Sequence, residues 1–230
     1  MTAPAGPDRG HCPLRPGCPY AVAVRQMDRF TVGFDLDMTL ADTREGIAAV
    51  YDALAAETGI LIDSALIATR LGPPLEVELA NWYPAEHVPA MIVRFRELYA
   101  DIAIPATVVM AGALAALEAV RDAGGRSMVV TAKNQVHAEG TVRFLELPVD
   151  RIAGGLWASA KGAALVEQGA RVYVGDHFGD VDAARAAGAL SVAVATGPYD
   201  ASALSVYGAD VVLPDLLAFP GWLTGHLAVT

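Results

Sequence analysis

The segment Phe34-Asp35-Leu36-Asp37-Met38-Thr39-Leu40 carries two carboxylates two residues apart, directly after the β-prone run Phe30-Thr-Val-Gly-Phe34. Placing them at the end of a buried strand is costly, because like charges repel and desolvation adds to the penalty. A divalent cation removes both objections, since a hard cation takes oxygen ligands. If the strand geometry continues past Phe34, Asp35 and Asp37 point to the same side. A cation, a nucleophilic carboxylate and a second carboxylate for proton transfer are the parts of a reaction that passes through an aspartyl phosphate. An isolated pair also has a plainer reading, a polar strand end entering a turn or a helix cap.

The elements that position these residues follow from hydrophobic periodicity. Asp42-Thr43-Arg44-Glu45 reads as a helix start, with a cap oxygen and an acidic first turn. Ile47, Val50, Tyr51 and Leu54 then recur at helical spacing until Gly59. Ser64 to Leu71 and Leu75 to Trp82 read as short helices separated by Gly72-Pro73-Pro74. Val88, Met91, Ile92, Phe95, Leu98 and Tyr99 form a longer helical stripe. After Pro105 the pattern changes to short apolar strands alternating with helices. The strands are Ser127–Val130, a short one between 151 and 157, Arg171–Val174, Leu190–Ala195 and Val211–Leu213. That rhythm predicts an α/β fold, a Rossmann-like parallel sheet with helices on both faces, plus an inserted all-helical cap domain. The predicted division is a mobile tail at 1–28, a catalytic core at 29–43 and 107–230, and the cap at 44–106. Ligands of such sheets bind beyond the carboxyl ends of the strands, so functional residues should sit just after them.

Composition narrows the partners. A formal charge of -10 over 230 residues argues against nucleic acid, which calls for a basic face. An anionic substrate must be attracted locally, by a cation and a few basic side chains. The longest uncharged run, Ile102 to Leu117, holds Pro105 and Gly112 and is too short to span a bilayer. The N-terminal residues lack the pattern of a secretory signal. The expectation is a cytoplasmic protein with no membrane partner, a monomer or homodimer. Cys12 and Cys18, the only cysteines, fall with His11 in the Pro/Gly-rich opening and come short of a four-ligand zinc site.

Polar residues follow three further strands or open the next helix. Thr131-Ala132-Lys133-Asn134 follows Val130, Lys161 opens a helix after Trp157, and Gly175-Asp176-His177-Phe178-Gly179-Asp180 follows Val174. Taken singly, Thr131 could cap a helix, Lys161 could lie on the surface and Gly175-Asp176 could be a turn. Their order and spacing carry more. Asp35-Leu-Asp37-Met-Thr39-Leu40, Thr131, Lys161 and Val174-Gly175-Asp176 through Asp180 resemble the four motifs of the haloacid dehalogenase superfamily. The last motif and the helical insertion after the first resemble its phosphoglycolate-phosphatase-like branch.

The resemblance implies a phosphatase that uses Mg²⁺ and acts on a small phosphorylated metabolite. Asp35 would be the nucleophile and Asp37 the acid and base. Thr131 and Lys161 would contact the phosphoryl oxygens. Asp35, the main-chain carbonyl of Asp37, Asp176 and Asp180 would hold or support the metal. Thr39, Arg44, Arg70, Gly72, Ala132 and Lys133 would be candidates for the substrate, the two arginines for a carboxylate or second phosphate. Met38 departs from the family's usual Gly. His177 is expected to be an exposed loop residue, since Mg²⁺ prefers oxygen. Two other functions compete. A sugar-phosphate mutase of the β-phosphoglucomutase type uses the same residues, and a non-catalytic binding module would be expected to have lost one of Asp35, Asp37, Lys161 or Asp176.

Overall fold

The computed structural model describes residues 30–229, so the predicted tail at 1–28, with both cysteines, lies outside the described residues. In chain order the strands are β1 (Thr31–Phe34), β2 (Ala41–Asp42), β3 (Val108–Val109), β4 (Arg126–Val130), β5 (Arg151–Ala153), β6 (Ala170–Gly175), β7 (Leu190–Val194) and β8 (Val211–Leu213). The helices are α1 (Arg44–Thr58), α2 (Ser64–Ala68), α3 (Leu75–Leu79), α4 (Val88–Ala106), α5 (Ala113–Asp122), α6 (Gln135–Phe144), α7 (Ser159–Glu167), α8 (Phe178–Ala187), α9 (Ala201–Tyr207) and α10 (Phe219–Leu227).

Six strands form one parallel sheet in the order β5-β4-β1-β6-β7-β8. The chain builds outward from β1 on one side through β4 and β5, then crosses to β6 on the other. That reversal opens a crevice at the carboxyl end of β1, where a doubly wound sheet binds its ligand. Strand alternation sorts the side chains into two layers. Val32, Phe34, Val129 and Val174 pack with α5, α6 and α10. Met128, Val130 and Tyr173 pack with α7 and α8. Gly33 faces the second layer, where a Cβ would lie 2.5 Å from Leu165 and 2.8 Å from the Tyr173 ring.

Helices α1 to α4 gather around an apolar cluster of their own, centred on Val50, Tyr51, Leu54, Phe95 and Tyr99. The chain enters this helical unit through β2 and leaves it through β3, which pair antiparallel at Ala41 with Val109 and Asp42 with Val108. Two-residue strands carry no periodic signal, and the sequence reading missed this ribbon. Thr43, directly before α1, makes no side-chain cap bond, and Asp42 is a ribbon residue. Its carboxylate accepts from the Arg44 backbone at 3.2 Å and from the Arg44 guanidinium at 2.9 and 2.5 Å. The reading also missed α10, whose Phe219 packs edge-on against Phe34 with centroids 5.5 Å apart.

At Gly46 the α1 backbone lies directly against α4. A Cβ there would lie 2.4 Å from the carbonyl oxygen and 2.8 Å from Cα of Ala103. Ala is a better helix former than Gly by about 1 kcal/mol, but both clashing atoms are backbone and no rotamer relieves them. Overpacking of this kind costs about 1–3 kcal/mol. Gly46→Ala should therefore lower the melting temperature, by about 2–4 °C per kcal/mol for a chain of this size. A thermal melt that rises instead would show that the helices part freely.

Candidate active site

The Asp35 N–H donates to the Val174 carbonyl at 2.8 Å, carrying the β1–β6 ladder one residue past the strand. Parity then places the Asp35 side chain with Gly33, toward α7 and α8. Lys161, in the first turn of α7, is 1% exposed and donates to Asp35 Oδ1 at 2.9 Å and to Asp180 Oδ1 at 2.7 Å. It is no surface lysine. Tyr173 donates its hydroxyl to Val130 O at 2.7 Å, with Asp180 Oδ1 3.2 Å from the same oxygen. Asp180 Oδ2 accepts the backbone N–H of His177 at 3.1 Å.

Strand geometry stops there. Leu36 O accepts the N–H groups of Thr39, Leu40 and Ala41 at 3.3, 3.0 and 2.9 Å, closing a tight turn. Met38 sits in it at φ 62°, the left-handed region that costs a residue with a Cβ about 1–2 kcal/mol. This explains why a Gly suits that position. The turn corrects the expectation that Asp35 and Asp37 point alike. Asp37 Oδ1 accepts from Thr43 Oγ1 at 2.7 Å and from Lys133 Nζ at 2.7 Å, so each aspartate has its own lysine. Thr39, fully buried, donates to Asp176 Oδ1 at 2.9 Å instead of facing the pocket.

A cavity of about 120 Å³ lies between this end of the sheet and the helical unit. Asp35, Asp37, Thr131, Ala132 and Lys133 line its core side, and Arg70, Gly72, Phe95 and Tyr99 are among the residues lining the other. Thr131 does not cap α6; Asn134 does, accepting from His137 N at 3.0 Å. The Thr131 hydroxyl instead accepts Lys133 N–H at 3.2 Å. Arg70 lines the cavity but is held by Glu78 at 2.6 and 3.1 Å. Arg44 does not line it and stays with Asp42. Gly72, at φ 139°, lets the loop approach the His177 ring, 2.6 Å from where a Cβ would stand. His177 is therefore not an exposed loop residue. Its Nδ1 accepts from Gly179 N at 3.0 Å at the start of α8, and its ring lies 5.0 Å from Trp157 and 4.9 Å from Tyr199.

The sequence model of haloacid dehalogenase-like hydrolases matches residues 32–210. The chain belongs to that family. Solved structures agree at the level of fold. A predicted phosphatase from Clostridium acetobutylicum superposes with a TM-score of 0.75 at 23% identity, covering 86% of this chain and 99% of its own. A predicted phosphoglycolate phosphatase from Haemophilus somnus 129pt gives 0.72 at 18% identity, with 85% and 98% covered. A haloacid dehalogenase-like hydrolase of Streptococcus pneumoniae gives 0.75 at 22% identity, with 87% and 99% covered. No protein of curated function matches the chain.

In this hydrolase the carboxylates of Asp35, Asp176 and Asp180 each offer an oxygen within 4.8 Å of the others, all three buried. One ammonium, Lys161, faces these three carboxylates, and the excess negative charge suits a divalent cation with oxygen ligands. Burial pushes the Asp35 carboxyl up to about 7; Lys161 pulls it down, while Asp180 and Asp37 raise it further. Burial, with Asp180 and Asp35 beside it, pushes Asp176 well above the carboxylate range. Burial works against the charge on Lys161, but Asp180 and Asp35 outweigh it and raise its pKa.

Two glycines of the site escaped the sequence reading as site builders. A Cβ at Gly175 would sit 2.3 Å from the Asp180 carboxylate, and one at Gly197 only 1.8 Å from Asp176 Oδ2. The signal for Gly197 was a Thr-Gly-Pro after a strand end, which alone reads as an ordinary turn. Beside it, Thr196 Oγ1 donates to Met38 O at 2.6 Å and steadies the strained turn.

A carboxyl whose folded pKa lies above its unfolded one makes the fold less stable as pH rises between the two. For Asp35 that interval runs from 3.8 to about 7. A cation must displace the protons that burial retains below that interval's upper end. Mg²⁺ should therefore raise the melting temperature more at about pH 8 than at about pH 5.5. Gly197→Ala, which drives a methyl into Asp176, should remove most of that Mg²⁺-dependent shift. A shift independent of pH, or undiminished in Gly197→Ala, would place the cation elsewhere.

Proposed function

We propose that this chain is a Mg²⁺-dependent phosphatase that hydrolyses a small phosphomonoester through an aspartyl phosphate on Asp35. One observation carries the reading. The Asp35 carboxylate lies at the floor of the cavity, held by a buried lysine, with Asp176 and Asp180 close enough to share an ion with it. The modest cavity favours a small metabolite, and residues 44–106 act as the cap that walls it.

In the first step an Asp35 oxygen attacks phosphorus, and the bond from phosphorus to the leaving oxygen breaks. Asp37 gives its proton to that oxygen, releasing the alcohol. Asp37 then takes a proton from the water that attacks the acyl phosphate, freeing phosphate and restoring Asp35. Thr131, Lys161 and the backbone N–H groups near Leu36 and Ala132 stabilise charge as it spreads over the phosphoryl oxygens. Asp35, the main-chain carbonyl of Asp37 and Asp176 would hold the cation, with Asp180 in support. When bound, it neutralises the carboxylates and polarises the phosphoryl group. Arg44 and Arg70 are each held by a neighbouring carboxylate and Lys133 by Asp37, while Arg96 also lines the cavity.

Asp35→Asn should bring p-nitrophenyl phosphate turnover below detection in the presence of Mg²⁺. Activity within tenfold of the parent would remove Asp35 as nucleophile. A panel of phosphorylated metabolites, scored for released phosphate, identifies the substrate. Conversion of a sugar phosphate to its isomer without phosphate release would assign the mutase instead.

A further inference from the structure

Lys133 is more than a cation at the pocket wall. Its side chain is 6% exposed, and its ammonium contacts partners on both sides of the cavity. On the core side it donates to Asp37 Oδ1 at 2.7 Å. On the other it donates to the hydroxyl of Tyr99, from α4. The same ammonium stands 4.5 Å from the centroid of the Tyr99 ring, within cation–π range. The ring is held as well: His137 of α6 stacks on Tyr99 with centroids 4.5 Å apart and planes 17° from parallel. Tyr99 is 2% exposed. Burial raises the pKa of its hydroxyl despite the neighbouring Lys133, so it remains a phenol whose oxygen can accept.

We propose that Tyr99 is a positioning residue: reaching from the helical cap, it fixes Lys133, and through Lys133 it holds the Asp37 carboxylate in place, so that seating of the cap and placement of the acid/base are a single event. The role given to Asp37 rests on the phosphatase reading above; the contact between cap and core does not. A lysine on a four-carbon stem has many rotamers, and one hydrogen bond to Asp37 would leave them poorly restricted. The hydroxyl and ring of Tyr99 supply two further contacts from a rigid helix, and the His137 stack fixes the ring. Thr43 holds the same oxygen of Asp37 from the start of α1. Thr43 is the last core residue before the cap, so Tyr99 is the cap residue that bears on Asp37, through Lys133.

Tyr99→Phe retains the ring, its stack and its packing, and removes only the oxygen. Misplacement of a reacting group by about 1 Å can cost up to about a hundredfold in rate; with the ring contacts retained, a fall in kcat of about tenfold is expected, with KM within about twofold. In a Lys133→Met background, adding Tyr99→Phe should cause no further loss, since the oxygen acts through the ammonium. A rise in KM with kcat unchanged, or a full additional loss in that background, would overturn the proposal. Should the parent protein turn over no phosphomonoester with any divalent cation, the phosphatase reading fails, and hydrogen exchange then decides the contact by itself. Faster exchange in 131–137 and 37–43 of Tyr99→Phe, with the rest of the sheet unchanged, supports it. Unchanged exchange in both segments overturns it.

Discussion

The buried ammonium of Lys161 is the interaction on which the site depends. Three carboxylates at the carboxyl ends of β1 and β6 are almost shielded from water, and charges so placed are each costly by several kcal/mol unless paired. Lys161 pairs Asp35 and Asp180, the backbone N–H of His177 donates to the other oxygen of Asp180, and Thr39 donates to Asp176. Glycine at 175 and 197 makes the room. The carboxylates are thereby held in a cluster that favours a divalent cation over bare coexistence.

A one-turn change of direction gives the two aspartates of the first motif different surroundings. Asp35 and Asp37 both line the cavity and still repel, since Asp37 raises the Asp35 carboxyl. The turn at Leu36 to Ala41 sends Asp37 outward to Thr43 and Lys133, while Asp35 stays over Lys161. The strain at Met38 is part of that geometry, and the bond from Thr196 ties it to the loop after β7. One carboxylate is embedded with Asp176 and Asp180, and the other stands at the cavity wall beside Lys133.

The helical unit is connected to the core by the β2–β3 ribbon and meets it again over the cavity, where Gly72 faces His177 and Tyr99 meets Lys133 and His137. These contacts join parts of the chain that are far apart in sequence. Arg44 braces the ribbon through Asp42, Arg70 braces the loop through Glu78, and Lys133 is held by Asp37 and Tyr99.

The chain's own periodicity determined the alternation of strands and helices, the helical insertion and the placement of polar residues after β1, β4 and β6, because burial of one face imposes a repeat that single residues obey. The order and spacing of Asp35, Asp37, Thr131, Lys161, Asp176 and Asp180 carried the family resemblance. What sequence could not determine is direction and partner. That Asp37 turns from Asp35, that Thr39 serves Asp176, that Lys133 belongs to Asp37 and Tyr99, and that Gly197 clears space for a carboxylate all depend on contacts between residues distant in the chain. Such contacts leave no local period, and only the packed tertiary structure decides them.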